Sequence, residues 1–178
     1  IGVLGLDTMA KLLETNVLII GASGVGVEVA KNVVLAGPKS VTIFDPTVVS
    51  WNDLASQFFL SEADVGKRTR GEVSVPKLAE LNRHVQVCCS LFIHTISHVM
   101  LQVRGVSADQ ILSEDFIRRF TCVVVCDSLN LAELERISTI CRTSTPSIPF
   151  MAAAAPGVFA FVFTDFGSGF KVYDTRGE

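Results

Sequence analysis

Gly21, Gly26 and Asp45 stand at the spacing of a phosphate-binding loop and the acid that accompanies it, and Gly24 is a further glycine in the loop. Gly21, Gly24 and Gly26 follow an apolar run in the segment GASGVG, and Asp45 follows the next apolar run. In the pattern G-x-G-x-x-G, the first glycine makes a tight turn, the second lets the backbone approach phosphates, and the third lets a helix pack on the sheet. Ser23 holds the second of these positions. The segment therefore predicts a nucleotide-binding fold, and Ser23 favours a vestigial site over a working one.

Other charged residues are candidates for the same site. Asp45 ends the second apolar run, where an acidic side chain binds a ribose hydroxyl. Lys67, Arg68 and Arg70 form a basic turn before a helix, which either neutralises phosphates or is a solvated helix start. Asp127 ends a later apolar run, where a carboxylate either holds magnesium or caps the next helix. An empty glycine loop favours the solvated helix start, and the two roles of Asp127 remain open.

Histidine and cysteine give little support for a metal or thiol site. His94 and His98 stand four residues apart, but no nearby Cys, Asp or Glu completes a ligand set, so we predict ordinary packing and no metal. The five cysteines contain no C-x-x-C pair and are interpreted as reduced core thiols: Cys88, Cys89, Cys122, Cys126 and Cys141. Reactive thiols need exposed, electropositive surroundings, which a buried strand does not offer.

Apolar runs alternate with helical patterns along the chain, which is the order of a parallel α/β fold. Continuous apolar runs predict buried strands at 17–20, 41–44, 85–91, 122–126 and 150–155. Helical spacing predicts helices at 4–14, 24–36, 75–81, 113–120 and 130–141, with Pro76 in the first turn of its helix. Residues 51–60 are predicted as a loop with a helical turn, and 157–166 with 170–174 as an edge hairpin. The predicted fold class is α/β: a Rossmann-like, mostly parallel sheet with helices on both faces and an antiparallel edge hairpin.

Length and composition bound the function classes. The 178 residues suit a single domain spanning 1–178. A net charge of -3 offers no basic surface for nucleic acid or anionic membrane, and the apolar runs are far shorter than a membrane helix. Hydrophobic residues nevertheless make up 49% of the chain, which predicts an apolar face buried against another domain or subunit. With no signal peptide and both ends interrupting predicted structure, we expect a fragment of a longer cytoplasmic and nuclear protein.

Several short segments, in order, resemble the ThiF/MoeB-type adenylation family. They are VLGLDTMAKL, the glycine loop, WNDLASQFFL, DVGK, PKLAELN and DFGSGFKVYDTRGE, and they cover nearly the whole chain. Within that family, the likeness is to the first, non-catalytic adenylation half of ubiquitin-activating enzymes. Only residues 92–113 fit poorly, and we interpret part of them as an insertion. Several motifs in order are far more specific than a glycine loop alone.

The resemblance implies that two basic residues of an active site are missing, whereas the acidic positions are kept as Asp45 and Asp127. Active members carry an Arg in N-x-N-R-Q-F and a Lys shortly after D-V-x-K. Here Ser56 stands at the Arg position, and Thr69 stands at the Lys position with Arg70 one residue beyond. Adenylation needs cations on the triphosphate as charge develops, so the implied site is vestigial and contains no catalytic residue. Its remnants are Gly21, Gly24, Gly26, Asp45, Lys67 and Asp127.

The resemblance also implies partners. In the family, two such halves pack as a pseudodimer, and the active half uses ATP and magnesium to form a ubiquitin acyl-adenylate. A separate cysteine domain then takes the acyl group as a thioester. This chain is therefore expected to bind no cofactor itself, to pack on an active adenylation half, to contact ubiquitin, and to serve ubiquitin-conjugating enzymes through its parent enzyme.

Three other functions stay open at the level of sequence. The first is the small subunit of a heterodimeric activating enzyme for another ubiquitin-like protein, although the closing DFG and DTRGE segments favour the ubiquitin enzyme. The second is an NAD-dependent oxidoreductase, for which Asp45 and the strand-helix-strand unit would serve equally well. The third is an interaction module without an enzymatic parent.

Overall fold

A computed structural model describes residues 6–89, 112–126 and 130–170 of the chain. Within these residues, six strands alternate with helices in the predicted order. The strands are β1 (Asn16–Ile20), β2 (Ser40–Phe44), β3 (Gln86–Cys89), β4 (Cys122–Val125), β5 (Phe150–Ala154) and β6 (Phe161–Asp165). The α-helices are α1 (Leu6–Glu14), α2 (Gly24–Ala36), α3 (Arg70–Leu81), α4 (Glu114–Ile117) and α5 (Leu131–Thr143), and two 3₁₀ helices span Trp51–Ala55 and Glu62–Asp64.

The six strands form one sheet in the order β3-β2-β1-β4-β5-β6. All neighbouring pairs are parallel except β5 and β6, which are antiparallel. The chain leaves β1 toward β2 on one side and later returns to β4 on the other side. The carboxyl end of β1 is therefore a topological switch point, where ligands bind in open α/β sheets. The glycine loop begins there, at Gly21.

Helices cover both faces of the sheet, as predicted. On one face, α4 and α5 pack on strand residues that include Leu18, Val123 and Phe150. On the other face, α2 and α3 pack on residues that include Ile19 and Val41. These two apolar layers confirm the predicted Rossmann-like fold class.

The edge of the sheet differs in detail from the predicted hairpin. The antiparallel strand is shorter than predicted, Phe161–Asp165 instead of 157–166, and it pairs with β5. Most of the predicted second arm, 171–174, lies outside the described residues, as do most of the suggested insertion at 92–113 and His94 and His98. Three apolar residues at this edge of the sheet are largely exposed to solvent: Val158, Phe159 and Val162 are 93%, 76% and 72% exposed.

Helix α3 begins five residues earlier than predicted, so the placement of Pro76 in a first turn was wrong. Thr69 caps the helix: its hydroxyl accepts from the Glu72 amide at 3.2 Å, and the Glu72 carboxylate accepts from the Thr69 amide at 2.9 Å. Pro76 therefore lies inside the helix, where it offers no amide to the carbonyl of Glu72 four residues back. The Arg68 guanidinium donates to that carbonyl at 3.1 Å instead. This contact gives the Glu72 carbonyl the donor that the proline lacks.

Asp165 ties the end of β6 to the end of α5. The Gly167 amide donates to Asp165 at 2.9 Å, and the Arg142 guanidinium donates to it at 2.7 and 2.9 Å. The Gly167 amide and Arg142 hold the pKa of Asp165 below its ordinary value, although burial acts in the opposite direction. A carboxyl group with a lowered folded-state pKa stabilises the fold above its unfolded pKa and loses that effect as pH falls through the folded value.

We therefore expect Asp165→Asn to lower the free energy of unfolding near neutral pH by about 0.5–1 kcal/mol, since Arg142 is largely exposed. The difference from wild type should shrink as pH falls below about 4 and disappear below the folded pKa. Urea denaturation at a series of pH values measures it. A difference that stays constant with pH would show that the charge of Asp165 is not responsible.

Candidate functional site

The glycine loop is built for a tight turn and close helix packing. Gly21 has a φ of 94°, which favours glycine, and its amide donates to the Phe44 carbonyl at 2.9 Å. A Cβ on Gly26 would lie 2.0 Å from the Gly21 carbonyl oxygen, so α2 and the loop touch through backbone alone. The first and third glycines of the pattern therefore have the packing roles that the sequence predicts.

The close-approach part of the loop contacts Cys126 and Ser56 and borders an open cleft. The Ser23 hydroxyl donates to the Cys126 carbonyl at 3.2 Å and makes no capping bond to α2. A Cβ on Gly24 would lie 2.9 Å from both the Cβ and the carbonyl oxygen of Ser56. Gly24 thus admits Ser56, the residue at the implied Arg position. Ser23, Gly24 and Ser56 also line a cleft of about 780 Å³ that reaches Pro156.

Asp45 is buried and its oxygens are engaged within the chain. Oδ2 accepts from the Ala22 amide at 2.6 Å and from Arg70 Nε at 2.8 Å, while Oδ1 accepts from the Thr47 amide at 2.9 Å. The side chain is only 1% exposed. A carboxylate has about four acceptor positions, and three of these are filled. Asp45 is therefore engaged mainly by groups of the chain itself, and about one acceptor position of its carboxylate is left.

Arg70 is the basic residue of a cluster that also contains Asp45 and Asp53. It is the first residue of α3, and its guanidinium also donates through Nη1 to Asp53 Oδ1 at 3.1 Å. Burial raises the pKa of Asp53, but bonds from the Ser50 hydroxyl and amide and from Arg70 outweigh it and keep that pKa below its ordinary value. The structure thus brings Arg70 to Asp45, while Thr69, at the implied Lys position, is the helix cap.

The remaining predicted site residues do not join this cluster within the described residues. Lys67 lies in an exposed turn in which its amide donates to the Asp64 carbonyl at 3.1 Å. Asp127 lies outside the described residues. The glycine loop and Asp45 meet at the carboxyl ends of β1 and β2, where the Ala22 amide donates to Asp45. No group of three or more His, Cys, Asp or Glu side chains in the described ranges is arranged to hold a metal ion.

Sequence reasoning missed the polar residues that support the loop. Gln57 is 1% exposed; its Nε2 donates to Ser74 Oγ at 2.8 Å and to the Ala22 carbonyl at 3.3 Å, and its Oε1 accepts from the Phe59 amide at 2.8 Å. Asp53 was also missed, although Ser50 three residues before it forms a capping-box pattern. The capping-box pattern was the sequence signal for Asp53. For Gln57, the sequence signal was an amide side chain followed directly by two phenylalanines.

The cysteines are reduced thiols, four of them at least partly buried. Cys88 is exposed, whereas burial raises the pKa of Cys122 to about 11 and that of Cys141 to about 12. Only thiolates react readily with disulfide reagents. We expect one thiol to react rapidly in the folded chain and the other four only on unfolding. Cys88→Ser should remove the rapid phase in a thiol titration, and a second rapid thiol would contradict this assignment.

No helix within the described ranges has the length and apolar character needed to cross a membrane.

Comparisons with known proteins agree with the fold and the motifs. The ThiF family model matches residues 1–165. Curated relatives include ubiquitin-activating enzyme E1 1 of Schizosaccharomyces pombe, 41% identical over 99% of this chain, and ubiquitin-like modifier-activating enzyme 6 of Homo sapiens, 37% identical over 99%. The chain spans about 15% of the length of each relative.

The fold is also similar to that of a solved structure. Escherichia coli MccB, in a crystal structure described with succinimide, superimposes with a TM-score of 0.67 at 18% identity, covering 95% of this chain and 46% of that one. At that identity the likeness concerns the fold alone. The family match and the E1 relatives extend the agreement to sequence, and the chain belongs to the ThiF family.

Proposed function

We propose that this chain is the non-catalytic adenylation half of a ubiquitin-activating enzyme. The observation that carries the proposal is that Asp45 accepts hydrogen bonds from groups of the chain itself. In the family, this acid binds a ribose hydroxyl. Its carboxylate is 1% exposed and is bound by Ala22, Thr47 and Arg70. Relatives named as ubiquitin-activating enzyme E1 1 and as ubiquitin-like modifier-activating enzyme 6, at 36–41% identity, supply the context.

The loop at Ser56 supports the same proposal. Adenylation needs cations around the triphosphate, because negative charge shifts between its oxygens in the transition state. Ser56 offers no charge at the implied Arg position and packs on Gly24, where phosphate oxygens would have to approach. Arg70 is nearby, but its guanidinium is bound to Asp45 and Asp53. The loop therefore acts as architecture.

In such an enzyme the chemistry belongs to the other adenylation half. That half would bind ATP and magnesium and adenylate the ubiquitin C-terminus before thioester transfer to a cysteine. This chain would supply a packing surface for it and part of the platform for ubiquitin, in the cytoplasm and nucleus. The exposed apolar residues at and before β6 provide surface of the kind that protein interfaces bury.

ATP–pyrophosphate exchange tests the lack of catalysis. The chain is mixed with ATP, magnesium, labelled pyrophosphate and ubiquitin, beside a complete ubiquitin-activating enzyme as positive control. We expect no exchange above background. Exchange at a substantial fraction of the control rate contradicts the proposal.

Calorimetry with ATP and with NAD separates the proposal from an oxidoreductase. Both nucleotides place a ribose near the acid at the end of β2, so the engaged Asp45 predicts weak or absent binding of either. Tight NAD binding would favour the oxidoreductase.

The scaffold role has its own experiment. The remainder of the parent enzyme is expressed as a second polypeptide and assayed with and without this chain. We expect the two to co-purify and the chain to raise adenylation by the remainder. Full activity of the remainder alone would contradict the scaffold role.

A further inference from the structure

A buried cation lies against Asp45, the acid at the end of β2 that binds a ribose hydroxyl in nucleotide-binding folds of this class. Arg70 Nε is 2.8 Å from Asp45 Oδ2, and Arg70 Nη1 is 3.1 Å from Asp53 Oδ1. The three side chains are 8%, 1% and 14% exposed. A buried charge is tolerated when it is paired and hydrogen-bonded, and both conditions hold for Arg70.

The cluster of Asp45, Arg70 and Asp53 joins the glycine loop to the 3₁₀ helix Trp51–Ala55, two segments that also meet through Gln57, whose Nε2 donates to the Ala22 carbonyl at 3.3 Å. At one end, Asp45 Oδ2 accepts from the Ala22 amide in the glycine loop at 2.6 Å. At the other end, Asp53 Oδ2 accepts from the Ser50 amide at 2.8 Å and from the Ser50 hydroxyl at 2.7 Å, which starts the 3₁₀ helix Trp51–Ala55. A continuous series of hydrogen bonds therefore runs from the glycine loop through Arg70 to this 3₁₀ helix.

We propose that Arg70 is an internal occupant of the sugar-binding subsite, which orders the glycine loop and the 3₁₀ helix Trp51–Ala55 without a nucleotide. The inference rests on the proposed function, because it explains how a site with no ligand stays ordered. Arg70 is a positioning residue in this role. It acts on the two segments through Asp45 and Asp53 and takes part in no reaction.

Arginine suits this role better than lysine. Its guanidinium is planar, always charged, and presents several donors in a fixed fork, so it bonds two carboxylates at once. In Arg70, Nε and Nη1 reach two different carboxylates. A lysine ammonium is a single point charge on a flexible stem. We therefore expect Arg70→Lys to hold the two segments less well than arginine does.

Hydrogen exchange measured by mass spectrometry on the 178-residue chain tests the proposal. In Arg70→Ala, amides of the glycine loop and of the 3₁₀ helix Trp51–Ala55 should exchange about tenfold faster or more, because bonds to a charged group are lost at both ends. Residues of β1 and β4 should change much less. Trp51, the only tryptophan of the chain, gives an independent fluorescence signal from the 3₁₀ helix. Arg119→Ala, at an exposed arginine, is the matched control and should change neither segment.

Chemical rescue shows whether a guanidinium at this position orders the two segments or whether Arg70→Ala acts by loosening the packing in general. Ethylguanidinium, at concentrations well below those that denature, should slow exchange of both segments in Arg70→Ala and leave wild type unchanged. Arg70→Lys should give intermediate rates in both segments, and it replaces Arg70→Ala if the alanine variant does not fold. Unchanged rates in both segments, or an equal increase throughout the sheet without rescue, would overturn the proposal.

The hydrogen-exchange test of Arg70 is independent of the ATP–pyrophosphate exchange test of the proposed function. Pyrophosphate exchange by the wild-type chain would contradict the proposed function, whereas the exchange rates of the Arg70 variants decide the role of Arg70. Wild-type exchange of the two segments should also be unchanged by ATP and magnesium. Protection of the glycine loop by ATP in wild type would show that the subsite accepts a nucleotide while Arg70 is present, and would overturn the occupancy.

Discussion

Gly26→Ala is expected to lower the free energy of unfolding by about 3 kcal/mol or more, at the upper end of the range for overpacked sites. The added Cβ would lie 2.0 Å from the Gly21 carbonyl oxygen and 2.8 Å from its carbon. Both atoms belong to backbone, so no side-chain rotation relieves the contact. Helix α2 must move away from the loop, and its packing on β1 and β4 is lost in part. Urea denaturation followed by far-ultraviolet circular dichroism measures the loss.

Alanine substitutions at two other glycines give stability losses with which that of Gly26→Ala is compared. Gly66 has a φ of 69° and open space around its Cβ position, so Gly66→Ala should show backbone strain alone, about 1–2 kcal/mol. A Cβ on Gly24 would meet Ser56 at 2.9 Å, a less severe contact than the 2.0 Å at Gly26, so Gly24→Ala should fall between the two. If Gly26→Ala were no more harmful than Gly66→Ala, the close contact between α2 and the glycine loop would be wrong.

The parts of the fold that sequence predicts well are those with local signals. Helix α2 spans Gly24–Ala36, as predicted, because Gly37 follows with a φ of 89° and its amide donates to the Val34 carbonyl at 3.2 Å. The N-cap signal at Asn130 was likewise present in the sequence, and the Asn130 side chain accepts from the Glu133 amide at 2.8 Å. Buried parallel strands were predictable because they are continuous apolar runs.

The use of Asp45 was not predictable, because its partner is set by tertiary packing. Arg70 stands 25 residues later, in a basic turn whose sequence fits a solvated helix start equally well. Gly71 has no side chain, and a Cβ there would lie 2.9 Å from the Asp45 carbonyl oxygen. That close approach of α3 to the end of β2 brings Arg70 to Asp45. The start of α3 was itself mispredicted, which removed Arg70 from consideration as a buried residue.

Asp45→Ala is expected to lower the free energy of unfolding by about 3–5 kcal/mol, because removing one partner of a buried ion pair leaves the other charge uncompensated. Arg70 would keep Asp53, but the Ala22 and Thr47 amides would also lose their acceptor. Thermal and urea denaturation near neutral pH measure the loss. Since the pair is buried, added salt should change it little.

Asp115→Ala is the matched control, because Asp115 is an exposed aspartate in α4, and its replacement should cost about 0.5 kcal/mol or less. Asp45→Asn separates shape from charge: the amide oxygen still accepts one bond, so the loss should be smaller than for alanine but well above that of the control. A cost for Asp45→Ala near that of Asp115→Ala would mean that the carboxylate is dispensable for folding. An aspartate without a folding role at the end of β2 would then be available for a nucleotide, and both the vestigial site and the occupancy by Arg70 would have to be given up.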